Sequence, residues 1–93
     1  MPYIKKEDRA YFENSIRDIV SSLGTQDNDG MAGMFNYVIS KICKDLCDPR
    51  CGGERRYARM NMIVGALESV KTEFNRRVVA PYEDGKIISE GDI

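Results

Sequence analysis

ERRYARMNMIVGALESVKTEFNRRVV, residues 54–79, is the stretch whose reading decides the fold. Within it Tyr57, Met60, Ile63, Val64, Leu67, Val70, Phe74 and Val78 recur mostly at steps of three or four. That is the period of a helix face, not the alternation of a strand. Gly52-Gly53 stands before the run and Ala80-Pro81 after it, where proline, with no N–H to donate, predicts the end of the helix. The spacing predicts a helix over 54–79, about 37 Å long at 1.5 Å per residue. Its stripe is too wide for one neighbouring helix to cover, which predicts burial against several neighbours, copies of the same chain among them.

Working back from this helix, Cys47-Asp48-Pro49-Arg50-Cys51-Gly52-Gly53 is a break: Pro49 disfavours helical geometry at Asp48, and the glycine pair adds backbone freedom. Before it, Met31, Met34, Phe35, Val38, Ile39, Ile42 and Leu46 mark a second helix over about 30–46, which Asn28 or Asp29 can cap. Earlier still, Phe12, Ile16, Ile19, Val20 and Leu23 give a first helix over about 6–23, with Gly24 placed to end it in the left-handed conformation. Downstream, 80–93 reads as an acidic tail with a Glu83-Asp84-Gly85 turn. Its short β-capable Lys86-Ile87-Ile88 could pair with the Tyr3-Ile4 lead-in as a small ribbon. The expectation is a single all-α domain over 1–93: a small bundle of three helices with a long third helix and a β-ribbon-forming tail.

At 93 residues the chain is of single-domain size and buries only roughly 60–65% of its unfolded surface when it folds. Pairing with a second copy is one way to bury more. Fourteen Lys and Arg against fifteen Asp and Glu leave a net charge of −1, so no overall basic field favours nucleic acid. No apolar run nears the ~18 residues of a membrane span, and MPYIKKEDR has no apolar core of a signal peptide. Three cysteines, an odd number, point to reduced thiols in a cytoplasm.

Histidine is absent. That removes the commonest general base and a common zinc ligand, and no serine or threonine has a His partner for a triad. The carboxylates Glu7-Asp8 and Glu68-Glu73 present no acid/base dyad in sequence. No enzyme is expected. Cys43, Cys47 and Cys51 recur every four residues, but the CxxxC spacing and the missing fourth ligand argue against zinc or an iron–sulfur cluster. Neither metal nor cofactor is expected.

The strongest candidate for chemistry is Gly52-Gly53-Glu54-Arg55-Arg56-Tyr57-Ala58-Arg59. Glycines leading into a helix start offer free N–H groups and the positive dipole end to an anion. Arg55 and Arg59, four apart, would share a helix face and fork onto a phosphate, with Tyr57 as a stacking surface. Arg76 and Arg77 sit in the last turns of the third helix, where the acidic tail could fold back on them, and Tyr82 follows as a second stacking ring. These seven residues are the expected anion site. Against them stands the plainer reading of a solvated helix start whose arginines offset neighbouring carboxylates.

The phrases Met1-Pro2-Tyr3-Ile4-Lys5-x-Glu7-Asp8-Arg9, Asn36-Tyr37-Val38-Ile39 and GALExVKxEFxRRVVAPYED at 65–84 resemble a family of short uncharacterised proteins of bacteriophages and of some bacteria and archaea. The resemblance implies a phage or prokaryotic cytoplasmic origin and carries no particular activity. The Cys-rich loop and the Arg55–Arg59 cluster lie outside those phrases. By size, class and implied origin the chain is similar to helical phage sponges that sequester cyclic-nucleotide immune signals. The functional expectation is therefore a non-enzymatic homo-oligomer that binds an anionic nucleotide-type ligand. The alternative is an interaction or structural module with no small-molecule ligand.

Overall fold

The three apolar runs fold as helices in the computed structural model, which describes residues 4–93. The first, α1 (Lys6–Leu23), carries Glu7 and Asp8 in its first turn, where carboxylates favour the positive end of the helix dipole. Gly24 N–H donates to Val20 O at 2.8 Å. Its φ of −68° keeps it right-handed, so it ends the helix without the left-handed geometry the sequence implies. Thr25 Oγ1 donates to Ser22 O at 2.9 Å and tightens the turn.

The second helix, α2 (Asn28–Leu46), starts where the extended Asp27 accepts from Gly30 N–H at 2.7 Å. Asp27, rather than Asn28 or Asp29, is therefore the cap, because the capping residue must stand outside the helix with its own backbone extended. Between 47 and 56 the chain folds tightly back on the end of α2. Asp48 is extended before Pro49, and Pro49–Cys51 form one 3-10 turn closed by Gly52 at φ +80°, a left-handed geometry that glycine adopts without a Cβ clash.

The third helix, α3 (Tyr57–Phe74), begins at Tyr57 and not at Glu54. Glu54 N–H is spent on Leu46 O at 3.0 Å, and Arg56 is extended at φ −133°, so these residues belong to the loop. Nor does the helix end at Pro81. A π segment, Asn75–Val79, carries it into α4 (Ala80–Glu90). There Ala80 N–H reaches back five residues to Asn75 O, and Pro81 occupies the first turn of α4, a position that requires no N–H donor. The expected β-ribbon tail is thus helical: Lys86, Ile87 and Ile88 lie inside α4. Among the described residues there is no strand, and Tyr3 of the expected ribbon lies outside them.

The 18, 5 and 11 residues of α3, the π segment and α4 form one continuous rod. At 1.5 Å per residue it measures about 51 Å, which accounts for the 52 Å long axis of the molecule. The fold is all-helical, a short α1–α2 hairpin and a long C-terminal rod joined at the 47–56 loop. These parts do not close a bundle within one chain. Among the described residues Ile63 is the one buried apolar side chain and Asp48 the one buried polar one.

Candidate functional site

Arg50 closes the loop against Asp48. The Asp48 carboxylate accepts from Arg50 N–H at 2.9 Å, from Nε at 3.2 Å and, through its second oxygen, from Nη2 at 3.0 Å. The side-chain bonds from Arg50, then its backbone N–H, hold the Asp48 carboxyl below its usual range against the opposing effect of burial. Gly53 lies so close to the end of α2 that a Cβ there would stand 2.5 Å from Asp45 O and from the Leu46 carbonyl. The glycine pair is therefore a splice that sets α3 against α2.

That splice also disposes of the arginines. Arg56 Nε pairs with Glu54 Oε1 at 2.6 Å, and Arg59 Nη2 with Glu54 Oε2 at 3.3 Å. Arg59 Nη1 further donates to Leu46 O at 3.4 Å. One carboxylate is thus shared between two guanidiniums, the arrangement of a helix start whose cations offset a neighbouring acid. Arg55 precedes the helix and shares no helical face with Arg59. It lies instead beside Lys44 at a groove of about 380 Å³ between α2 and α3, whose apolar wall is Cys43, Cys47, Met60, Ile63, Val64 and Leu67. Neither the Lys44 nor the Arg55 side chain has a hydrogen bond or ion pair to the described residues. Lys44 is the cation that sequence reading missed. It sits in the last turn of α2, and only the fold brings it beside Arg55.

The other predicted residues fall elsewhere. Tyr57 stands largely exposed at the first position of α3. Arg76 and Arg77 lie in the π segment about 25 Å further along the rod, where Arg76 Nη2 pairs with Glu73 at 3.0 Å. The acidic tail does not fold back onto them, since α4 runs on along the same axis. Tyr82 is on α4 with Lys86 Nζ 5.8 Å above its ring. Within one chain, then, the seven residues form two separate groups and no single pocket.

Cys43 and Cys47 are half-buried at the groove and Cys51 is exposed; all three are free thiols. Local desolvation, then the Asp45 and Asp48 carboxylates, push the Cys51 thiol up. Among the described residues no three Cys, Asp or Glu side chains converge as a metal-ligand set. Glu68 lies with Gly65, Ser69, Thr72 and Glu73 along a shallow, open side of α3. No helix among the described residues is long and apolar enough to cross a membrane.

A family model described as a domain of unknown function (DUF6899) matches residues 1–93. No curated protein and no solved structure matches the chain.

Proposed function

We propose that this chain, which belongs to the family described as a domain of unknown function (DUF6899), works as a non-enzymatic homo-oligomer whose helical rods cover one another. The observation that carries this is its surface. The chain exposes 8162 Å², whereas a folded monomer of 10.6 kDa exposes about 5,500 Å². Its radius of gyration is 16.6 Å against about 12 Å for a compact chain of this length. Val70, Phe74, Val78 and Tyr82 are each more than half exposed along the rod. Isolated helices are marginal in water and draw their stability from a packed apolar face. A second copy supplies such a face at no cost in new sequence.

Sedimentation equilibrium across a micromolar range, with native mass spectrometry of the same sample, tests the reading. The expected result is a defined oligomer that dissociates on dilution with loss of helical signal. A fully helical monomer at high micromolar concentration would overturn it.

A nucleotide-type anion is the second reading, and Lys44 beside Arg55 at an apolar groove is what favours it. Those two cations make no hydrogen bond or ion pair among the described residues and are shared only at longer range with the Asp48 carboxylate, so they would grip a phosphate, while Arg56 and Arg59 are engaged by Glu54. The groove walls would take a base. In a phage-infected cytoplasm such a protein would act as a sponge for a cyclic-nucleotide signal. Calorimetry of the folded protein against mono- and cyclic nucleotides decides this: no heat with any of them removes the ligand and leaves an assembly module.

A further inference from the structure

We infer that two copies pair antiparallel along their rods, about a two-fold axis at Phe74, with α4 of each copy seated in the α2–α3 groove of the other. This rests on the self-assembly reading and gives it a geometry.

The apolar stripe of the rod carries the register. Met60, Ile63, Leu67, Val70 and Phe74 are spaced three, four, three and four, the a/d pattern of a helix that packs lengthwise on another. A strict heptad would next use position 77, which is Arg77; the apolar residue is Val78. The structure has its π segment at this place, over Asn75–Val79. A π turn takes up one extra residue per turn, so the stripe continues on the same side through Val78, Pro81, Gly85 and Ile88. These follow Phe74 at steps of four, three, four and three. Read from Phe74 the spacing is the same in both directions.

A two-fold axis at Phe74 therefore sets Val70 against the second copy's Val78, Leu67 against Pro81, Ile63 against Gly85 and Met60 against Ile88. Leu67 and Ile63 of α3 meet the small positions Pro81 and Gly85 of α4, and Gly85 has nothing within 4 Å of where a Cβ would stand, leaving room for the neighbour's close approach. Because Met60, Ile63 and Leu67 also line the groove, the same register puts α4 of the second copy into it.

Charge selects this orientation over the parallel one. Residues 41–59 hold six cations and three carboxylates, and residues 80–93 hold four carboxylates and one cation. The two ends of the rod are thus of opposite sign. Antiparallel pairing brings unlike ends together twice, as an isologous contact must; parallel pairing would oppose like ends twice. The area agrees as well. Each copy exposes about 2,700 Å² more than a monomer of its mass should, so two copies have about 5,400 Å² to cover, and permanent dimer interfaces bury from about 2,000 to more than 5,000 Å² in total.

Carbodiimide cross-linking of an equal mixture of ¹⁴N- and ¹⁵N-labelled wild-type protein reads the orientation. The expected mixed-isotope peptides join Lys41 or Lys44 to Glu90 or Asp92. Mixed-isotope links from Lys86 to Glu83 or Glu90, tail to tail, would overturn the antiparallel pairing while leaving self-assembly intact. An absence of mixed links from a protein that sediments as a monomer would remove both readings. Charge exchange supplies a second readout. K44E/R55E, or E90K/D92K, should each raise the dimer dissociation constant about tenfold. The four changes together in one chain should restore it. A fourfold variant no tighter than either pair alone would count against the geometry.

Discussion

Replacing Gly53 by alanine should destabilise the fold, although alanine ordinarily stabilises a chain by narrowing its unfolded ensemble. The new Cβ would stand 2.5 Å from three backbone atoms, Asp45 O and the Leu46 carbonyl carbon and oxygen, where ordinary contact begins at 3.4 Å. Relief of nearly 1 Å must come from main chain, and that main chain is pinned. Gly53 N–H donates to Asp48 O at 2.9 Å and Glu54 N–H to Leu46 O at 3.0 Å. Overpacking of this kind costs about 1–3 kcal/mol, and losing the Glu54 bond adds about 1 kcal/mol. The reduced freedom of the unfolded chain returns only about 0.4–1 kcal/mol. The balance is a loss of about 1–3.5 kcal/mol, at about 4–8 °C of Tm per kcal/mol for a chain of this size. Circular-dichroism melts at one fixed protein concentration measure it, since Tm of an oligomer moves with concentration. Gly33→Ala is the internal control: it lies inside α2 with nothing within 4 Å and should gain about 0.5–1 kcal/mol. A Gly53→Ala variant that melts at or above wild type would refute the account of the loop as a splice.

Three further outcomes can be checked with the same material. Asp27→Ala removes the bond to Gly30 N–H and should cost about 1 kcal/mol, read as a lower Tm with fraying confined to the start of α2. The Asp48 carboxyl is held below its usual range by Arg50, so its contribution is fully present above the ordinary value near ~4 and is lost as pH falls through the depressed one. Amide protection at Arg50 and Glu54, with exchange taken relative to the intrinsic rate at each pH, should accordingly fall below about pH 4, and Asp48→Asn should abolish that pH dependence. Phe74→Ala truncates a side chain more than half exposed in one chain; in a lone molecule it should cost no more than ~0.5 kcal/mol, but at the centre of an interface about 2 kcal/mol or more. Dissociation on sedimentation at concentrations where the wild type stays assembled, with the loss of helical signal that dissociation brings, is the expected sign.

The helices were legible where periodicity alone makes them. α1 follows its stripe from Lys6 to Leu23, and α2 ends at Leu46 as its last apolar residue implies. Both ends of the rod were misread, for reasons that single-residue rules do not carry. At its start, Glu54 has good helix propensity, but its N–H finds a better acceptor in the exposed carbonyl at the end of α2. Tertiary pairing therefore overrides propensity. At its far end, Pro81 breaks a helix only if its missing N–H and its ring fall on a full α-turn. A π turn just before it makes Pro81 a first-turn residue of a new helix. The clue lay in the stripe itself, which steps by four twice in succession, from Val70 to Phe74 and from Phe74 to Val78.

The candidate site failed differently. Three arginines within five residues look like an anion site because sequence counts cations without their partners. The structure gives Arg56 and Arg59 one shared partner, Glu54, and leaves Arg55 lining the same groove as Lys44, eleven positions earlier. Glu54 is thus the residue that separates the two readings of this end of the molecule. An anion would have to displace a carboxylate that two guanidiniums already hold, or bind at the two cations it does not reach. The acidic α4 of a second copy binds at those same two cations in the antiparallel pair. Ligand and neighbour would then compete for one groove, so a nucleotide that does bind should shift the sedimentation equilibrium toward monomer.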